Sequence, residues 1–237
     1  MWKVIGASVP GSSHIAAGTG CEDAADWAVR AGVTCLAVAD GAGSRPLAHE
    51  GARAAVARVL SRVDVPVGDP ADWLADALDD ARAALEELAK SSGTDVDQYA
   101  TTLAVAVLTA EAVGIAQIGD TIAVVGQGGE FQAVDPAPRF EYANETVFLT
   151  APGAVATARI VVHPADGVDE VFLSTDGLRL KITDDLALGT PYQPFFADVA
   201  AYVRSPAADP DAIREFLLNL DDQTGDDKTL VAAVRCT

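Results

Sequence analysis

The sequence predicts an α+β domain whose strands pair antiparallel, and three observations carry that expectation. Short apolar runs bounded by Gly, Pro or Asp recur along the chain, as strands do. Helical patterns come in two separate pairs, within residues 44–90 and 192–220, instead of alternating with every strand. Between residues 101 and 134, strand-like runs follow one another too closely to leave room for crossover helices. The resulting order is strands, two helices, many strands, two helices and a last strand. With 237 residues, 50% of them hydrophobic, the chain can bury one substantial core, so residues 1–237 are expected to form a single domain.

Trp2 to Val9 alternates loosely and stops at Pro10-Gly11, which reads as a first strand and a turn. Residues 12–23 read as a small-residue loop ending in Cys21-Glu22-Asp23. Residues 27–30 and 34–39 then form a hairpin around Ala31-Gly32. Ser44 suits a cap and Pro46 a first turn, and Leu47, Gly51, Ala52, Ala55, Val56, Val59 and Leu60 follow at helical spacing. Asp69-Pro70 opens a longer helix to about Lys90, with Trp73, Leu74, Ala77, Leu78, Ala81, Leu85 and Leu88 inward. Runs at 101–108, 113–118, 121–125 and 130–134 read as an antiparallel meander. After an irregular stretch at 135–144, strands are expected at 146–150, 159–163 and 170–174. Helices at 192–203 and 210–220 and a strand at 229–234 complete the chain.

Sixteen basic residues against thirty-five acidic ones give a net charge of −19, which repels nucleic acid and anionic membrane surfaces, so neither is an expected partner. Cys21, Cys35 and Cys236 are odd in number and lack CxxC spacing. Neither a disulfide framework nor a thiolate zinc site is indicated, and a reducing cytoplasm fits best. The start of the chain shows no signal-peptide pattern, and no stretch approaches eighteen uninterrupted apolar residues.

The acids that carry chemical information stand at strand ends. Leu36-Ala37-Val38-Ala39 runs into Asp40-Gly41-Ala42-Gly43, and the pattern recurs at Ile118-Gly119-Asp120 and Ser174-Thr175-Asp176-Gly177. Glu22-Asp23 lies upstream of the first of these strands and Asp226-Asp227 precedes the last strand. A lone Asp-Gly is most simply a turn. Repeated at several strand ends, the pattern delivers carboxylates to one rim, where they repel and take up protons unless a hard divalent cation is present.

In order along the chain, Glu22-Asp23, Asp40-Gly41-Ala42-Gly43, Thr101-Thr102, Gly119-Asp120-Thr121, Thr175-Asp176-Gly177 and Asp227-Lys228 resemble the motifs of the PPM-type (type 2C) metal-dependent serine/threonine protein phosphatases. The resemblance implies two packed antiparallel β-sheets flanked by helix pairs, an α-β-β-α sandwich. It also implies two Mg²⁺ or Mn²⁺ ions, with a third, looser site. By position Asp40 would bridge the ions and Gly41 would offer its carbonyl. Asp176 and Asp227 would hold one ion, Glu22 and Asp23 would serve the other, and Asp120 would belong to the third site. The implied reaction is hydrolysis of phosphoserine and phosphothreonine on cytoplasmic proteins by a metal-bridging hydroxide, opposing a partner kinase. A monomer is expected.

The chain departs from that pattern where it meets substrate. The family's phosphate-binding Arg before the first acids has no counterpart, and Gly11-Ser12-Ser13-His14 stands there instead, resembling a bacterial subgroup with a Gly-x-Ser-His loop. Ser13, His14 and Arg45 are therefore the candidates for holding phosphate. His14 suits either phosphate binding or protonation of the leaving oxygen, and a loop His satisfied by backbone is the plain alternative. Position 42 is Ala, where some relatives carry an acid His. Residues 178–222 are expected to hold a flap and helical insert. The missing Arg favours a second reading, a catalytically weak phosphatase-like binding or regulatory module.

Overall fold

The structure, a computed structural model, describes residues 1–134, 146–221 and 223–236. Its elements are β1 (Trp2–Val9), α1 (Ser12–Ala17), β2 (Ala24–Arg30), β3 (Val33–Ala39), α2 (Ala48–Ser61), α3 (Pro70–Ser92), β4 (Leu103–Leu108), β5 (Ala112–Ile118), β6 (Ile122–Gln127) and β7 (Glu130–Ala133). There follow β8 (Arg159–Pro164), β9 (Glu170–Ser174), α4 (Arg179–Ile182), β10 (Thr183–Asp185), β11 (Thr190–Pro191), α5 (Gln193–Arg204), α6 (Pro210–Asn219) and β12 (Lys228–Arg235). One antiparallel sheet has the order β1-β12-β9-β6-β7 and the other β2-β3-β4-β5-β8.

The layers follow from side-chain alternation. Successive residues of a strand face opposite ways, so Leu36 and Val38 of β3 join Ala104, Leu173, Val231 and Ala233 between the sheets. Cys35, Ala37 and Ala39 turn outward to the layer under α2 and α3, with Ala52, Ala55, Leu74 and Leu78. Both faces of β3 are covered, which is why its sequence is continuously apolar. The outer face of the first sheet is packed by α5 and α6, where Phe172 meets Phe196 edge to face at 5.0 Å. The four layers are those of an α-β-β-α sandwich.

The sequence signals for local structure mostly hold. Asp69 caps α3, its Oδ1 accepting from the N–H groups of Ala71 and Asp72 at 2.7 and 3.3 Å, with Pro70 in the first turn. Ala31 and Gly32 both take positive φ, 49° and 83°, the geometry that closes a two-residue hairpin between β2 and β3. Four expectations are corrected. Residues 12–17 are a short helix, tied down by Ser13 N–H donating to the Gly225 carbonyl at 3.0 Å. The second helix begins at Ala48, because residues 42–47 make turns with Ala42 N–H bonded to the Ala100 carbonyl. Residues 146–150 are not a strand. Most consequential, the expected meander divides between the sheets: β4 and β5 pair in one, β6 and β7 in the other. The chain crosses at Gly119-Asp120-Thr121, where Gly119 takes φ 94°. The irregular stretch expected at 135–144 lies outside the described residues.

Strand register gathers the acids. Ala39, at the end of β3, pairs with Ala24 at the start of β2, and Val38 pairs with Ala104. Leu103 pairs with Ile118, just before the crossover. In the other sheet Ser174, at the end of β9, pairs with both Ile122 and Leu230, and Val9 pairs with Lys228. Residues 22–23, 40, 120, 176 and 226–227 therefore all leave the sandwich at one rim.

Candidate metal centre and active site

Asp40 is set by its backbone. Its N–H donates to Thr102 Oγ1 at 3.0 Å, and its carbonyl accepts from Thr102 N–H at 2.9 Å and Thr101 Oγ1 at 2.8 Å. The threonine pair, which strand propensity alone would explain, thus clamps the end of β3. Opposite it, the crossover delivers Asp120, whose Oδ2 accepts from Thr146 Oγ1 at 2.7 Å. Asp176 follows β9. Carboxylate oxygens of Asp40, Asp120 and Asp176 lie within 4.8 Å of one another, at the floor of a cleft of about 340 Å³ that Ser13, His14, Gly41, Ala42 and Asp226 also line.

Such a cluster is costly without a counter-ion. Burial first, then the charges of Asp23, Asp176, Asp226 and Asp120, push the Asp40 carboxyl up to about 10. Burial and the charges of Asp120 and Asp226 raise Asp176 to about 6, against a hydrogen bond with Asp40 and the charge of Arg179. Asp176 Oδ1 and Glu22 Oε2 are buried without a hydrogen-bond partner, which native proteins avoid unless something outside the chain satisfies the atom. Converging, orphaned oxygen donors are what hard divalent ions take, so the residues fit the Mg²⁺ or Mn²⁺ ions that the sequence implies. Because the ligands must shed protons first, Mn²⁺ affinity is expected to strengthen between about pH 6 and 10 with release of protons. Calorimetry in buffers of different ionisation heat checks this, and an affinity flat with pH would contradict it.

The acid doublet before β12 departs from expectation. Asp227, expected as a ligand, is 2% exposed and turned away from the three converging carboxylates. Its Oδ1 accepts from Gly11 N–H at 2.9 Å and lies 2.7 Å from His14 Nδ1, while its Oδ2 accepts from Glu22 N–H at 2.5 Å. Asp226 faces the cleft instead. The two sit in a bend, where Asp226 Oδ1 accepts from Asp227 N–H at 2.9 Å, and the doublet thus puts one acid at the cleft and the other behind His14. The signal was the doublet itself. The turn is gripped by two glycines: a Cβ on Gly11 would stand 2.1 Å from the Asp226 carbonyl oxygen, and one on Gly177 1.9 Å from that of Asp227.

The remaining candidates separate. Asp23 is buried beneath the cleft, its Oδ2 accepting from Thr175 Oγ1 at 2.8 Å and Thr229 Oγ1 at 2.6 Å. Burial raises it to about 8, partly offset by those two hydroxyls. Arg45 is engaged by Asp97, Nη2 to Oδ2 at 2.6 Å, and does not line the cleft. Lys228 is buried and donates to the Leu220 carbonyl at 3.2 Å. His14 lines the cleft with its side chain 20% exposed. Burial opposes its charge, but the hydrogen bond and charge of Asp227, with Glu22 and Asp226 behind them, raise its pKa above the ordinary value.

A family model described as protein phosphatase 2C matches residues 10–218. The chain belongs to the protein phosphatase 2C family. It is 30% identical over 250 residues to serine/threonine-protein phosphatase 3 of Escherichia coli K12, covering 98% of both chains. The serine/threonine phosphatase Stp1 of Staphylococcus aureus shares the fold, with a TM-score of 0.72 at 16% identity over 100% of this chain and 96% of that one. So does the catalytic domain of the serine/threonine protein phosphatase PstP, solved in complex with two manganese ions, with a TM-score of 0.67 at 20% identity over 98% and 97% of the two chains. No described helix is long and apolar enough to cross a membrane.

Proposed function

We propose that this phosphatase 2C member removes phosphate from phosphoserine and phosphothreonine of proteins by metal-dependent hydrolysis. The observation that carries the reading is the convergence of Asp40, Asp120 and Asp176 within 4.8 Å. Those three would hold the ions, with Glu22, Asp226 and the Gly41 carbonyl as further oxygen donors at the same rim. When bound, paired divalent ions lower the pKa of a water and neutralise charge developing on phosphate oxygens. The chain's own part is to present its donors rigidly, through the threonine clamp on Asp40 and the glycine grip on residues 226–227. Substrate phosphate enters past Ser13 and His14, which occupy the wall where the expected Arg is absent.

Three free cysteines support action in a reducing cytoplasm, and a net charge of −19 supports a monomer. A serine/threonine kinase acting on the same proteins is the implied counterpart. With Mn²⁺, the protein is expected to hydrolyse p-nitrophenyl phosphate and a phosphoserine peptide, and a chelator is expected to stop both. Metal-replete protein that turns over neither ester would leave the binding-module reading in its place.

A further inference from the structure

Breaking a seryl phosphate leaves an alkoxide, a poor leaving group that departs readily only if a proton reaches it as the P–O bond breaks. Among the described residues that line the cleft there is no Lys, Arg, Tyr or Cys, and His14 is the one nitrogen-bearing side chain. Its ring is held from behind. Both Asp227 oxygens act as acceptors from backbone N–H groups, so the 2.7 Å contact places a proton on Nδ1 and leaves Nε2 for the cleft. Asp227 in turn cannot swing, since the backbone N–H groups of Gly11 and Glu22 hold its two oxygens. Nε2 hangs over the loop that follows Asp40: it lies 4.0 Å from where a Cβ on Gly43 would stand, beside the orphaned Glu22 Oε2 at 3.6 Å from the same point. His14 and Gly43 line the same cleft as the three carboxylates.

We propose that His14 donates the proton that releases the seryl or threonyl oxygen, with Asp227 as its positioning residue. The inference rests on the phosphatase reading above. As the ester P–O bond breaks, its electron pair goes to the departing oxygen, which takes the proton from Nε2. Water supplies the new oxygen on phosphorus, and the products are the free hydroxyl and inorganic phosphate. The ring is left neutral with Nδ1–H still on Asp227, and regains its proton from solvent.

The test compares two esters, because a nitrophenolate leaves without help and a seryl alkoxide does not. In Mn²⁺-loaded protein, His14→Ala is expected to lower kcat on a phosphoserine peptide by about 10²-fold or more, and kcat on p-nitrophenyl phosphate by far less. His14→Gln, which keeps an N–H but has no proton to give, is expected to behave like His14→Ala. Asp227→Asn is expected to lower the same ratio when His14 is present and to change it no further when His14 is Ala. An independent readout needs no metal: NMR of the three histidines is expected to show a strongly downfield Nδ1–H on His14 that Asp227→Asn removes. Equal losses on both esters, restoration of the ratio by Gln, or additive effects of the two substitutions would each overturn the proposal. Hydrolysis of both esters by the unsubstituted protein, with a ratio indifferent to His14, would overturn it and leave the phosphatase reading standing.

Discussion

Replacing Asp40 with Asn is expected to abolish phosphoester cleavage and at the same time to raise the melting temperature of the metal-free protein. Asp40 is one of three converging acids, and losing its charge would take an anionic donor from any ions held there. Metal stabilisation of the transition state is worth several kcal/mol, so the loss is expected to be about 10³-fold or more. The stability effect has the opposite sign. In the folded chain the Asp40 carboxyl is raised to about 10 from an ordinary value of 3.8. Between those values the folded state binds the proton that the unfolded state has released, so stability falls as pH rises through that window. Asn has no proton to lose, and its advantage over Asp grows across the same interval. A gain of about 1–2 kcal/mol corresponds to about 2–8 °C for a chain of this size. Thermal melts in chelator at pH 6 and pH 9 check it, and a variant that melts below its parent at both would refute the account of the cluster.

Gly177→Ala is expected to cost about 3 kcal/mol, an overpacking penalty, and to lower the melting temperature by about 6–12 °C. The added Cβ would stand 1.9 Å from the Asp227 carbonyl oxygen and 2.9 Å from its carbon. Both are backbone atoms, and the turn cannot retreat because Gly11 lies against Asp226 on its other side. Displacing that turn moves Asp226 in the cleft and Asp227 behind His14 together, so turnover is expected to fall with stability. Gly68→Ala is the control, with nothing within 4 Å of its Cβ and no positive φ. A Gly177→Ala protein melting with the control would show that the turn is not gripped.

How much of this was legible depended on whether the signal was local. The apolar run of β3 ending at Asp40, the Asp69-Pro70 start of α3 and the Ala31-Gly32 hairpin were readable because each rests on residues next to one another in the chain. The division of the meander was not, since β5 and β6 look alike whether they pair with each other or part at Gly119. Helix α1 was hidden for a related reason: six residues are too few to form a helix on their own, and the bond from Ser13 N–H to the Gly225 carbonyl ties it to a turn more than two hundred positions away. Arg45 read as a phosphate candidate because its partner, Asp97, sits in a short 3₁₀ turn more than fifty residues away, a contact that sequence spacing does not show. Asp226 and Asp227 are neighbours that the pattern of acids cannot tell apart, whereas the backbone donors of Gly11 and Glu22 hold Asp227 behind His14 and leave Asp226 at the cleft.

Strand β12 lies between β1 and β9, in the interior of its sheet. The sheet of β2, β3, β4, β5 and β8 is complete once residue 164 has been made. Its companion lacks an inner strand until residues 228–235 arrive, and until then β1 and β9 have no common neighbour. A nascent chain leaving the ribosome therefore carries Asp40, Asp120 and Asp176 long before it has Asp226 or a carboxylate behind His14. The rim is finished only when β12 has paired between β1 and β9, and a chain without that strand would lack both Asp226 and Asp227.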